Sequence, residues 1–220
     1  MRKLLFFTFL IPCFAIAQVK DSLRYREDQF YIDLNLALQV NDINNFQQKG
    51  FSRSFHMGFL RDLPLTVKGD KALALGIGYG HVRLVNNINV EKSLAGYSYT
   101  LPVAARALRN VFSYHQLQFP IELRWRTSNL KKYAFWRVYL GYRLSHQFGA
   151  KYKPFFGRKI DLNNQLNPWQ HSMGIALGFN TWNLRFDYTF TPLLRQEIRS
   201  ISGSSFKINP LQVGLIFYLL

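Results

Sequence analysis

The chain has 220 residues, one cysteine, 48% hydrophobic and 16% aromatic residues, and only 18% charged ones. That suffices for one domain with a real core or one eight-stranded barrel, and the heavy use of Phe and Tyr favours strands over helices. The formal net charge is +16, but Lys and Arg are spread through periodic segments, often at every second position, which argues against a nucleic-acid partner.

Met1 to Ala17 carries Arg2 and Lys3, an apolar run from Leu4 to Ile11, and the small-x-small end Ala15-Ile16-Ala17. This is the pattern of a cleaved export signal over residues 1–17, too short for a helical span. Cleavage after Ala17 removes Cys13, so disulfides are expected to play no part in the mature chain. Residues 18–29 read as a polar periplasmic leader, and residues 30–220 as the folded domain.

Phe30 to Val40 alternates strictly, with Phe30, Ile32, Leu34, Leu36 and Leu38 on one face and Tyr31, Asp33, Asn35, Ala37 and Gln39 on the other. Eleven alternating residues suit a tilted membrane strand. Asn41 to Ser54 reads as a loop, Phe55 to Asp62 as the second strand, and Asp62-Leu63-Pro64-Leu65 with Lys68-Gly69-Asp70 as turn signals. Ala72 to Val85 is the third strand, with Leu73, Leu75, Ile77 and Tyr79 opposed by Ala74, Gly76, Gly78 and Gly80. Asn86 to Val111 has no clear period. Phe112 to Arg126 is the fourth strand and Ala134 to Gln147 the fifth, separated by a short polar turn. Phe148 to Pro168 reads as a second long loop. Trp169 to Phe179 is the sixth strand, Asn180 to Asn183 a tight turn, and Leu184 to Pro192 the seventh strand. After the loop Leu193 to Ser205, Leu211, Val213, Leu215, Phe217 and Leu219 alternate to the last residue of the chain.

The even strand count, with connections alternating long and short, predicts an all-β, eight-stranded antiparallel up-and-down barrel in the outer membrane. Its turns would be short and periplasmic, its loops long and extracellular. Alternation alone does not say which face points inward. An exported soluble, lipocalin-like ligand-binding barrel would put the apolar face inside, a membrane barrel the polar one. Glycine on the polar face favours the membrane reading, because small residues on some staves make room for long ones on others in a narrow lumen. Trp125, Trp136, Tyr142, Trp169 and Tyr188 would supply the girdles.

On that reading Arg124, Arg126, Arg137, Arg143 and Arg185 point into the lumen, and Asp33, Glu122 and Asp187 are their candidate counter-charges. Bidentate Arg–carboxylate pairs would plug a bore already too narrow for an aqueous channel. No catalytic, cofactor or metal site is expected. The five His residues lack metal-ligand spacing, and the adjacent pairs Ser145-His146 and His171-Ser172 point to opposite faces. A lipid A-modifying enzyme would need a cross-strand Ser–His pair on the outer surface. Lys151, Lys153, Arg158 and Lys159 flank Pro154-Phe155-Phe156-Gly157, a candidate extracellular contact for lipopolysaccharide phosphates or a protein partner. Phe217, Tyr218 and Leu220 form a candidate signal to the barrel-assembly machinery.

The export signal, the eight strands, Gly58-Phe59 to Asp62-Leu63-Pro64-Leu65, and the segment Leu117-Gln118-Phe119-Pro120-Ile121-Glu122-Leu123-Arg124-Trp125 together resemble the PorT-like outer-membrane barrels of Bacteroidetes. Glu122 follows the proline here, where the family pattern has it before. The resemblance implies an outer-membrane protein without enzymatic activity, an accessory factor or subunit of an envelope machine such as type IX protein secretion.

Overall fold

The computed structural model describes residues 28–39, 46–48, 50–94, 96–102, 109–127, 136–199 and 205–219. The export signal, all of the leader but its last two residues, and Leu220 lie outside them. Eight long strands close on themselves: β1 (Gln29–Gln39), β2 (Arg53–Pro64), β3 (Lys71–Asn86), β6 (Asn110–Arg126), β7 (Trp136–Lys153), β9 (Trp169–Phe179), β10 (Trp182–Thr189) and β13 (Pro210–Leu219). Each pairs antiparallel with its neighbour in chain order, and β1 pairs with β13 from Phe30↔Leu219 to Gln39↔Pro210, so no edge is left in the wall. A closed wall is what a bilayer requires, since lipid cannot satisfy free backbone groups.

Several boundaries differ from the sequence reading. β1 takes in Gln29 from the expected leader. β2 continues past Asp62, because Asp62 and Pro64 still pair with Ala74 and Ala72 of β3. β10 begins at Trp182, inside the expected turn, and Thr189 is its last residue. β7 extends six residues beyond Gln147 into the expected loop. It does so through an irregularity in which Ser113 and His115 of β6 face Lys151 and Phe148 of β7, with Gly149 at φ 61°. One extra residue there flips the face of everything that follows.

The wall is inside-out relative to a soluble protein. Phe30, Leu34, Ile77, Met173 and Leu184 point outward and are about half exposed, whereas Asp33, His56, Gln118 and Glu122 point inward and are buried. A lipocalin-like barrel would show the reverse.

That rule inverts near the loop end. One rung across the sheet reads Phe55↔His81↔His115↔Phe148 on the outer surface. On the turn side of it, outward residues are apolar and inward ones polar. On the loop side the outward rung becomes Arg53↔Arg83↔Ser113↔Lys151. The inward positions there become Val82, Leu84, Phe112, Tyr114, Ala150 and Tyr152, all buried. The strands leave the apolar zone at this rung and continue as a water-exposed collar.

The long connections fold into a cap on that collar. β4 (Asn89–Ser93) and β5 (Gly96–Thr100) form a hairpin, β5 meets β11 (Ile198–Arg199) in parallel at Arg199↔Thr100, and β11 pairs with β12 (Ser205–Phe206). β8 (Ile160–Asp161) adds to β7. Ile88, Leu101, Leu162, Leu193 and Ile198 are fully buried in one apolar cluster with the inner faces of the collar. The Tyr152 hydroxyl donates to the Ile88 carbonyl at 3.2 Å and accepts from the Val90 amide at 3.3 Å, and the Asn110 amide also donates to Ile88 at 2.8 Å. The described parts of the segments expected as loops thus build a small apolar core of their own beyond the collar.

Candidate functional site: the lumen network and the basic collar

Inside the wall an unbroken chain of charges runs from the turn end to mid-barrel. Asp62 accepts from Arg126 at 2.7 Å and from Arg124 at 2.9 Å. Arg124 also donates to Glu122 at 3.0 Å, and Glu122 accepts from Arg185 at 2.8 Å. Arg185 grips Asp187 through Nε at 2.6 Å and through its terminal nitrogen at 3.1 Å, a bidentate geometry. Arg143 lies between Asp187, at 3.4 Å, and Asp33, at 3.3 Å, and Asp33 ends the chain 3.0 Å from His56 Nδ1. Four arginines therefore alternate with four carboxylates. The lumen is close to neutral, and the surplus positive charge of the protein lies elsewhere.

Space for this chain comes from small residues on β3 and β9. A Cβ on Gly174 would collide with the Asp187 carboxylate, and one on Gly78 with the Tyr31 hydroxyl. Aromatic rings close the turn end. Arg124 lies 4.9 Å from the Tyr139 ring centre and 5.4 Å from that of Tyr218, within cation–π range. The Tyr218 hydroxyl also donates to Glu122 at 3.3 Å.

Of the residues expected in the lumen, Asp33, Glu122, Arg124, Arg126, Arg143, Arg185 and Asp187 join this chain, and Arg137 is buried on the same face, opposite Arg126 and Gly178. Sequence reasoning missed Asp62 by reading it, at the end of the second strand, as the start of a turn, and missed His56 by treating the five histidines as scattered. Carrying the alternation of His56 and Gly58 on through Leu60 would have placed Asp62 inward with His56. Tyr218, expected as part of an assembly signal with Phe217 and Leu220, sits in the network; Phe217 faces outward beside Trp182, with ring centres 5.6 Å apart.

The other four histidines face outward. The His81 and His115 rings pack tilted with centres 4.7 Å apart, the Tyr79 hydroxyl is 2.6 Å from His115, the Tyr142 hydroxyl is 2.6 Å from His171, and His146 packs on Trp169. Ser145 points into the lumen away from His146, and Ser172 bonds Thr189 inside, at 2.9 Å, away from His171. Among the described residues no three His, Cys, Asp or Glu side chains gather as a metal site would require.

Of the expected extracellular cations, Lys151 and Lys153 lie on β7 and are held by the collar, and Lys159 lies in the connection directly before β8. With Arg83 and Arg109 they line a groove of about 600 Å³ whose walls include Phe51 and Phe155. Arg158 is exposed and does not line it.

Residues 16–195 match the model of a family described as outer membrane protein beta-barrel domain. Among curated proteins no relative matches significantly. Two solved structures of Ail from Yersinia pestis are similar to this chain. One, the backbone structure in a phospholipid bilayer nanodisc, has 14% identity over 88% of this chain and 100% of that one, at a TM-score of 0.34. The other, in complex with the heparin analogue sucrose octasulfate, has 13% identity over 87% and 99%, at a TM-score of 0.33.

Proposed function

We propose that this chain, which belongs to the outer membrane protein beta-barrel domain family, serves as a non-conducting, non-enzymatic scaffold, an accessory factor or subunit of an envelope machine such as type IX protein secretion. One observation carries the reading: the bore is filled by the Arg–carboxylate chain and roofed by the apolar cap. A barrel so filled has no path for solutes, and its folded cap offers a firm extracellular surface. The resemblance to PorT-like barrels supports the secretion role.

Crosslinking and pull-down from native outer membranes, with planar-bilayer recording of the purified protein, tests this. The expected result is capture of envelope proteins, a secretion defect on deletion, and no channel steps. Stepwise conductance, or turnover of lipid A by the pure protein, would overturn it.

A further inference from the structure

Part of the positive charge outside the lumen is gathered in one place. Arg53 and Arg83 sit directly opposite each other on β2 and β3, and Lys151 continues the same rung on β7. Like charges directly opposed in a sheet repel, so this arrangement is costly without an anion between them. Arg83, Arg109, Lys151, Lys153 and Lys159 line the groove, and no Asp or Glu does. Among the described residues none of these five has a carboxylate within ion-pair distance. Asp161, the backbone partner of Lys151 on β8, turns its carboxylate to Asn163, accepting from the amide nitrogens at 2.8 and 3.2 Å.

The groove also opens onto the lipid-facing wall. A second depression, of about 540 Å³, runs down the outer face of β13, β1 and β2 and shares Phe51 and His81 with the first. Its floor is apolar, with Leu34, Leu36, Phe55, Val213 and Leu215. A cationic seat therefore sits just beyond the rung where the wall stops being apolar, and a greasy trough leads from it into the bilayer zone. That pairing suits a molecule with phosphates at one end and acyl chains at the other, held in the outer leaflet.

We propose that the β2–β3–β6–β7 collar and the adjoining trough bind one molecule of phosphorylated glycolipid from the outer leaflet, the lipid A part of lipopolysaccharide. Arg83, Lys151 and Lys153 meet the phosphates, and the β13–β1–β2 wall receives an acyl chain. The site rests on the outer-membrane placement alone and is independent of the scaffold role.

The test is native mass spectrometry of the full mature protein in detergent, titrated with lipid A, with lipid A stripped of phosphate, with phosphatidylglycerol and with inorganic phosphate. Wild type should bind one lipid A in preference to the other three. The triple variant Arg83→Gln, Lys151→Gln, Lys153→Gln should bind it about a hundredfold more weakly, taking roughly fivefold per charge near a lipid surface. Lys68→Gln with Lys71→Gln, at the opposite end of the barrel, should bind as wild type does. Heat-shifted gel mobility confirms folding, and Lys153→Gln with Lys159→Gln replaces the triple variant if it fails that check. Equal binding by wild type and the charge variant overturns the site. So does equal binding of phosphate-free lipid A, or inorganic phosphate binding as tightly as the lipid.

Discussion

Tyr31 reaches Gln118 across two intervening strands. Its hydroxyl donates to the Gln118 side-chain oxygen at 3.3 Å. The ring crosses Gly58 and Gly78, which are paired with each other and lie in the same row. Gly78→Val puts a branched side chain where that hydroxyl lies. Overpacking of this kind costs about 1–3 kcal/mol. The expected outcome is a lower urea midpoint for unfolding from lipid vesicles; an unchanged midpoint would show that Tyr31 moves aside freely.

Arg124 joins Asp62 to Glu122, and all three side chains are buried. Arg124→Ala takes one of two arginines from each of two buried carboxylates, since Asp62 keeps Arg126 and Glu122 keeps Arg185. Full loss of a buried partner costs about 3–5 kcal/mol, and this change should approach the lower end. Arg124→Ala combined with Glu122→Ala should cost less than the sum of the single changes. A double-mutant cycle on unfolding free energies measures the coupling, and simple additivity would count against a connected network.

Leu162 and Leu194 are buried in the cap, not in the membrane wall. Leu162→Ala should lose about 2–5 kcal/mol of local packing. Limited proteolysis of intact vesicles should then cut the cap faster, while the heat-modifiable mobility of the barrel stays as in wild type. Loss of both together would mean that cap and wall fold as one unit.

At the turn between β2 and β3 the Thr66 hydroxyl donates to Asp70, which holds the Asp70 carboxyl below the usual carboxylate range; the nearby Lys71 and Lys68 charges act in the same direction. A carboxyl with a depressed folded-state value adds stability above its unfolded value, and that stability is lost as pH falls through the folded one. Thr66→Val should raise the Asp70 titration midpoint toward an ordinary aspartate, read by carboxyl carbon NMR. An unmoved midpoint would assign the depression to the Asp70 backbone amide and the lysines.

Removing residues 218–220 deletes Tyr218 from the lumen and two backbone pairs, Tyr31↔Tyr218 and Phe30↔Leu219, from the closing seam. Assembly into the outer membrane should fail. Normal heat-modifiable protein from the truncated gene would refute the assignment of this end to assembly.

Most staves were legible because they carry long alternation, as Phe30 to Gln39 does, while β2 shows it only from Phe55 to Phe59. The cap was not. Leu101, Leu162, Leu193 and Ile198 come from three separate connections and share no period; only their meeting in space makes a core. The collar left a fainter trace, a change of phase. On β3 the apolar series Leu73 to Tyr79 occupies odd positions, whereas Val82 and Leu84 occupy even ones. On β6 Phe112 and Tyr114 are out of step with Leu117 and Phe119 in the same way. Taking each of these as one uninterrupted strand hid the point where the environment changes, and with it the extension of β7 through Lys153.

That change of phase also sets how the protein tolerates mutation. Leu75 and Leu84 lie on one strand and both must stay apolar, yet on opposite faces and for different reasons. At Leu75 a polar replacement is rejected by the surrounding lipid, whereas at Leu84 it is rejected by neighbours of the same chain. Sequence drift along a single stave is thus filtered by two different environments, and Tyr79 and His81 stand at the crossover.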